Sequence, residues 1–569
     1  MQNVIKRILC AALALCLLLS LSVGASAEGQ TFTPGTYTSV VAGRNGPIVM
    51  QADFSESAIT DVRVISHSET YLTGNVPLEQ YPAQVVEHQS VALDIVSGAT
   101  VTSAAFFTGV YDLIKQAGGD PAAMRAEIPT DKVAADASAD VVVVGGGAAG
   151  LTAATKAAQA GSKVILLEKL DILGGTSSYA IEAFGATEDK THVALGNAVT
   201  SDANAASLIA SNPGHSEEAL TILANQNGVA ADWLRSIGSP LSVAGGSVFA
   251  ATSREYGRMG QVIVAALVNE TEKTGVDIRI GDAATELVME NGAVAGVKVK
   301  NDAGEYTISA KAVVLAGGGF GAYNEMVAQY VPSLAGYNHS CTVGAKGDVH
   351  KMAVAVGAQL GNMEHVRVNF TYYTDGVRVY YMGCLPNTGA IVVNEQGKRF
   401  INDQGGYGVG MKVVEQGGSC WAIFDQSMID GVADVRDHLA LGMYECADTL
   451  DELAAKIGVD AAGLAETVET YKGYVANGKD EEFGRAMLNL TFDEAPYYAC
   501  KLTAHVQGTF GGIVTNTATE VTDANGAAIP GLFAAGECAY VGTNGANPMT
   551  VDVVFGGIAG ENAAAYAAK

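Results

Sequence analysis

Residues 30–118 alternate apolar and polar positions in short runs. GTYTSVVAG, PIVMQADF and AITDVRVISH each read as a half-buried strand, and AAFFTGVYDLIKQAG reads as a helix over 102–117 with a glycine stop. Residues 118–139 are rich in Pro, Ala and Asp and carry no period, which predicts a linker. The pattern then changes. Residues 140–144 form an apolar run short enough for a fully buried parallel strand, residues 151–160 read as a helix, and residues 163–167 as a second strand ending in Glu168. Two later strands also run into glycines, at 311–321 and 529–539.

The amino terminus follows another pattern. Lys6 and Arg7 precede an apolar run over residues 8–23, and Ala25-Ser26-Ala27 follows it. This predicts a secretory signal over residues 1–27, cut after Ala27. Cys16 follows Leu-Ala-Leu, a poor lipid-attachment box, so release is expected rather than anchoring. No later run reaches about 18 apolar residues, so the mature chain is expected to be soluble and extracytoplasmic.

Composition narrows the picture. The 569 residues include 68 Gly and only 13 Pro, with 49% hydrophobic, which fits a glycine-rich α/β protein of several domains. A formal charge of −27 without a basic patch argues against nucleic acid as a partner. Two of the eight Cys lie in the signal. The other six are scattered without CxxC or CxxCH spacing, which argues against zinc ribbons and c-type haem and predicts buried free thiols with no metal site, disulfides in an exported chain being the alternative.

The segment 139–168 carries candidate chemistry. Gly145, Gly147 and Gly150 stand between the first strand and the helix in the spacing of a dinucleotide fingerprint, with Ala149 beside them. Gly145 permits the tight turn, Gly147 lets backbone approach a pyrophosphate, and Gly150 lets helix and strand pack closely. The helix amino terminus favours phosphate, and Glu168, followed by Lys169, is placed for a ribose diol. Gly174, Gly175, Thr176 and Ser177, then Gly317 and Gly318, then Gly536 and Glu537 recur in an order that favours FAD over NAD.

From Ala139 onward the chain resembles the soluble fumarate reductase and urocanate reductase family of FAD-dependent flavoproteins. The matching segments are VVVVGGGAAGLTAA, EKLDILGGTSS, AVVLAGGGFG, VGAKGDVHKMAVAVGAQLG, GAIVVNEQGKRFIND, TFGGIVTN and IPGLFAAGE. The resemblance implies an α/β fold. A Rossmann-like FAD-binding domain in two pieces (139–363 and 506–569) would bracket a mobile α+β cap (364–505). Many exported members also carry a small α+β FMN-binding domain, here 30–118 with a linker at 119–138. Its hallmark resembles Asp94, Ser97, Gly98, Ala99 and Thr100, with FMN joined through its phosphate to Thr100 by a flavin transferase. The competing reading of this stretch is a loop that caps the following helix. With FMN and FAD both present, electrons would pass from an external membrane or extracellular donor through FMN to FAD. Hydride would then pass from FAD N5 to an activated C=C bond.

The departures from the family bear on the substrate. The position of the proton-donating Arg falls at about Tyr407, and no Arg stands between Arg399 and Arg436. The family's HPT reads VNFTYY, its Thr-Glu pair falls at Met382-Gly383, its paired His become Gln507-Gly508, and its last Arg becomes Pro548. A buried dicarboxylate without cationic partners costs several kcal/mol. The expected substrate is therefore an enoate or enone, aryl or bulky, and not fumarate. A tyrosine is the expected proton donor: Tyr407 first, with Tyr380, Tyr381, Tyr372 and Tyr373 as alternatives. His505 reads either as a substrate contact or as a hydrogen-bonded structural residue. Two other functions fit the same sequence: a flavin dehydrogenase that introduces a C=C bond, as ketosteroid dehydrogenases do, and a non-enzymatic extracytoplasmic electron carrier.

Overall fold

The computed structural model of the chain describes residues 30–128, 132–180, 184–196, 198–243, 249–251, 258–543 and 546–569. The signal segment lies outside the described residues. Among them no helix is long and apolar enough to cross a membrane.

Three strands, β1 (Gly35–Ala42), β2 (Pro47–Phe54) and β3 (Ile59–Ser66), form an antiparallel meander, as their alternation predicts. Ile48, Met50, Ala52 and Phe54 alternate inward along β2. They meet two helices, α1 (Asn75–His88) and α2 (Thr100–Gln116), through Leu78, Tyr81, Phe106 and Leu113. The sequence reading missed α1, which carries Pro82 inside it.

The linker is shorter than the composition suggests. β4 (Ala137–Val144) begins inside it, because residues 137–139 already pair with residues 308–310. β4, α3 (Ala148–Gln159) and β5 (Val164–Glu168) follow as expected. Further on come α4 (Met259–Lys273), β6 (Asp277–Ile280), β7 (Ala283–Glu290), β8 (Ala293–Asn301) and β9 (Gly304–Leu315). The main sheet runs β7-β8-β9-β4-β5-β6, with β9, β4, β5 and β6 parallel. Val141 and Val143 enter the core on one face, while Val142 and Val144 enter the core on the other. This two-sided burial is why the run is unbroken rather than alternating.

A second sheet is antiparallel throughout. It contains β10 (Val366–Thr374), β11 (Val379–Tyr381), β12 (Ile391–Val393), β13 (Ser419–Asp425), β14 (Glu445–Ala447) and β15 (Tyr497–Thr509) in the order β11-β10-β15-β13-β12, with β14 also on β15. Below it Arg399 bonds Asp403 and Asp480, and Arg485 bonds Asp403, all with buried side chains. The chain then returns to the main sheet as β16 (Ala528–Ala534), parallel to β9, and ends in α5 (Pro548–Ala567) against α3. No disulfide joins any of the six described cysteines; Cys384 and Cys446 are half-buried and the other four buried.

The three units meet at one junction. Ser97 N donates to Asp171 Oδ2 at 3.1 Å, tying the loop before α2 to the segment after β5. Arg44, in the β1–β2 turn, donates to the Val379 carbonyl at 2.6 Å and lies 4.4 Å from the Tyr380 ring centroid. Tyr380 Oη donates back to the Arg44 carbonyl.

Candidate active site

A cavity of about 690 Å³ opens at the carboxyl ends of β4 and β5, where parallel sheets bind ligands. Gly145, at φ +113°, turns the chain there, and a Cβ on it would stand 2.3 Å from the Ala316 carbonyl oxygen. A Cβ on Gly150 would stand 1.8 Å from the Gly145 carbonyl oxygen, so α3 packs on β4 only with glycine. Glu168 is buried and accepts from Gly146 N and Leu170 N, both at 2.8 Å. Burial raises its pKa against these two bonds. Each bonded oxygen keeps a second lone pair for a ligand hydroxyl.

Gly145, Gly147, Ala149, Glu168, Lys169, Gly175, Thr176, Ser177, Gly317, Gly318, Gly536 and Glu537 all line this cavity. Gly150 is packed behind the wall, and Gly174 bridges to the Gly146 carbonyl at 2.8 Å. A backbone cradle at a helix start, an acid at the second strand's end and this length of cavity fit a dinucleotide. The far end holds two half-buried acids the sequence reading only half found. Glu537 accepts from Thr509 N at 2.8 Å, and Asp552 accepts from Ser177 Oγ at 3.3 Å. Burial, and then the Glu537 charge, push Asp552 up to about 7.

A second cavity of about 190 Å³ shares Thr176, Ser177, Gly536, Glu537 and Asp552 with the first. Its outer wall brings together Tyr179, Met259, Arg367, Tyr372, Tyr381 and Gln507. Tyr372 accepts from Gln507 Nε2 at 3.3 Å and stacks on His505 with centroids 5.0 Å apart. Burial raises the Tyr372 pKa, opposed by the nearby Ser340 hydroxyl and by the charge of Arg258.

The other expected residues sit elsewhere. His505 is fully buried behind Tyr372, bonded to Thr503 Oγ1 at 3.0 Å, and burial lowers its pKa to about 4. It is a neutral, packed residue and does not line the cavity. Tyr380 turns away from the cavity to Arg44, while its neighbour Tyr381 faces in, as alternation along a strand requires. The side chain of Tyr407 lies outside the described residues. Sequence reasoning missed Tyr179, Met259, Arg367 and Asp552. Arg367 stands within the VRVNFTYY segment already singled out.

The loop before α2 is set by Tyr81, whose hydroxyl donates to the Asp94 carbonyl at 2.6 Å and accepts from Val96 N at 3.0 Å. The helix-cap reading fails here. The residue before α2 is Ala99, and no side chain caps the helix. Thr100 is exposed, and Gly98 at φ +95° packs on Ile172 and close to Tyr179 Oη. This loop therefore lies against the wall of the second cavity.

Two family models match the chain, an FAD binding domain over residues 140–550 and an FMN-binding domain over residues 43–115. A urocanate reductase of Eggerthella lenta is 32% identical over 96% of this chain and 94% of its own length. The chain belongs to the fumarate and urocanate reductase family of flavoproteins. As a member, this flavoprotein is an FAD- and FMN-containing oxidoreductase. A probable fumarate reductase of Shewanella frigidimarina (strain NCIMB 400) is 35% identical over 75% of each chain. Relatives 27% identical to this flavoprotein are named for acrylate, fumarate and vinyl phenol. The open conformation of a flavocytochrome c3 fumarate reductase matches it with a TM-score of 0.68 and 31% identity, over 79% of this chain and 85% of that one.

Proposed function

We propose that this protein is an exported reductase of an activated C=C bond in an enoate or enone with an aryl or bulky substituent. When bound, the two flavins supply the redox chemistry, relaying electrons from an external donor and providing hydride for one alkene carbon. The observation that carries the reading is the second cavity. It continues the dinucleotide cavity past Ser177, Glu537 and Asp552 and is walled by tyrosines. Arg367 lines it too, beside Glu537 and Asp552, two carboxyls at the same cavity that disfavour further negative charge. That arrangement supports a substrate other than a dicarboxylate.

Tyr372 gives its proton to the second alkene carbon. Ser340, Gln507 and the charge of Arg258 stabilise the phenolate left behind. Tyr381, 5.6 Å away edge-on, holds the Tyr372 ring and is the alternative donor. Thr100 carries FMN as a phosphoester added by a flavin transferase. Its exposure, the absence of a helix-cap bond and the closeness of its loop to Tyr179 support this.

The test is anaerobic oxidation of reduced viologen by the mature holoprotein with fumarate, urocanate, cinnamate-type acrylates and steroid enones. Oxidation by an aryl or enone substrate, lost in Tyr372→Phe, is expected. Preferential fumarate reduction would overturn the substrate reading. Dye reduction by a saturated acid or ketone, with no alkene-dependent oxidation, would establish the dehydrogenase direction instead.

A further inference from the structure

Arg367 and Tyr372 both belong to β10 and both line the second cavity. Their odd spacing would put them on opposite faces of a regular strand. A bulge removes the conflict. Asn369 pairs with His505 and Tyr372 with Thr503, so β10 spends one residue more than β15 over that interval. The extra residue turns Tyr372 to the face of Arg367. Arg367 itself pairs with Gly508, which has no side chain to crowd it. Its guanidinium carbon lies 6.0 Å from the ring centroid of Phe510, another residue of the cavity wall. Gln507, just before Gly508, accepts from Asn369 Nδ2 and donates to the Tyr372 hydroxyl, both at 3.3 Å. The phenol therefore leans along β10 toward the arginine.

The charges beside Arg367 decide what it can hold. A Cβ on Gly508 would lie 3.4 Å from Glu537 Oε1, so Glu537 stands by the residue paired with Arg367. Asp552 lines the same cavity. An entering carboxylate meets two carboxyls beside this guanidinium, whereas a neutral carbonyl oxygen meets a fork of N–H donors. Hydride addition to an enone moves an electron pair onto that oxygen. A cation placed there stabilises the transition state more than the ground state.

We propose that Arg367 is a catalytic residue that binds the carbonyl oxygen of a neutral enone, stabilises the enolate formed there and selects ketones over carboxylates. The proposal rests on the C=C reductase reading and narrows its substrate class from enoates and enones to enones. Hydride from reduced flavin forms a C–H bond at the β-carbon, and the C=C pair shifts toward the carbonyl, leaving an enolate at Arg367. The α-carbon then takes the Tyr372 proton, the C=O bond forms again, and a phenolate remains.

The experiment titrates oxidised holoprotein, which cannot turn over, with three ligands of one skeleton: 4-phenylbut-3-en-2-one, cinnamate and 1-phenylbut-1-ene. Wild type is expected to hold the ketone most tightly. Arg367→Met should weaken the ketone about tenfold or more and the hydrocarbon less than about threefold. Arg367→Lys should restore part of the loss. Isotope-edited infrared spectra of the bound ketone should show a C=O stretch lower in wild type than in Arg367→Met. Flavin content and near-ultraviolet circular dichroism check that the variants are folded. An equal loss for ketone and hydrocarbon, an unshifted stretch, no hold on the ketone, or a tighter hold on cinnamate overturns the proposal. An FAD reduction potential that moves in Arg367→Met with unchanged ketone affinity also overturns it and assigns the arginine to the flavin. The reductase reading fails separately, if no alkene oxidises reduced viologen while ketone binding still depends on Arg367.

Discussion

The Thr100 hydroxyl stands exposed at the first residue of α2, bonded to no described residue. Thr100→Ala should therefore leave the fold and FAD content unchanged and abolish flavin retained after denaturation, read by in-gel fluorescence. Tyr372→Phe keeps the ring stacked on His505 and removes only the hydroxyl, so kcat should fall about 10²-fold or more with little change in KM. Asp552 gives a pH-dependent effect. Its folded pKa, about 7, lies above its unfolded value, so the folded state holds a proton that the unfolded chain releases. Its contribution to stability falls as pH rises from about 4 to about 7 and is fully lost above that. Asp552→Asn should thus raise the melting temperature of the flavin-free protein at pH 8 and lose that advantage near pH 4.

At the scale of elements, β4-α3-β5 was legible because its signals are local: a run of apolar residues, glycines at fixed offsets, an acid at the strand end. Either Gly145→Ala or Gly150→Ala drives a Cβ into backbone oxygen. Each should lose FAD, with the apoprotein still folded by circular dichroism. The rest of the site was not legible for a physical reason. Tyr179, Met259 and Arg367 come from three segments far apart in sequence, and only tertiary folding brings the first two to the same wall as Tyr372. No spacing announces that. The expectation that the family clamp is missing, drawn from positions such as Pro548, does not say which cations line the cavity, and Arg367 is one that does. Alternation along β11 puts Tyr380 and Tyr381 on opposite faces, but sequence alone does not say which face is inward. In the second sheet, Arg399 holds two buried acids, Asp403 and Asp480, and its charge helps hold Asp480 down to about 2. Arg399→Met strips Asp480 of its side-chain cation and leaves Asp403 to Arg485 alone, and should cost about 3–5 kcal/mol in denaturant titration. In the wild type the Asp480 contribution is present above the unfolded carboxylate pKa and is lost as pH falls through about 2.

At the scale of the whole molecule, one short contact ties the FMN-binding unit to the cap. Tyr380→Phe keeps the ring beneath Arg44 but removes the bond to its carbonyl. Intramolecular electron transfer from FMN to FAD, followed by stopped flow, should slow several-fold while each flavin is retained. The hook has a further consequence for timing. Val379 and Tyr380 belong to β11, at the edge of the sheet that covers the cavity. If that sheet swings outward to exchange ligand, it must release Arg44. The docked state that brings FMN near the cavity is then the closed state, and the state that admits a new ligand is the undocked one. Refuelling and reloading would alternate, like the two strokes of an engine, and a chain caught with its door open would have no fuel line attached.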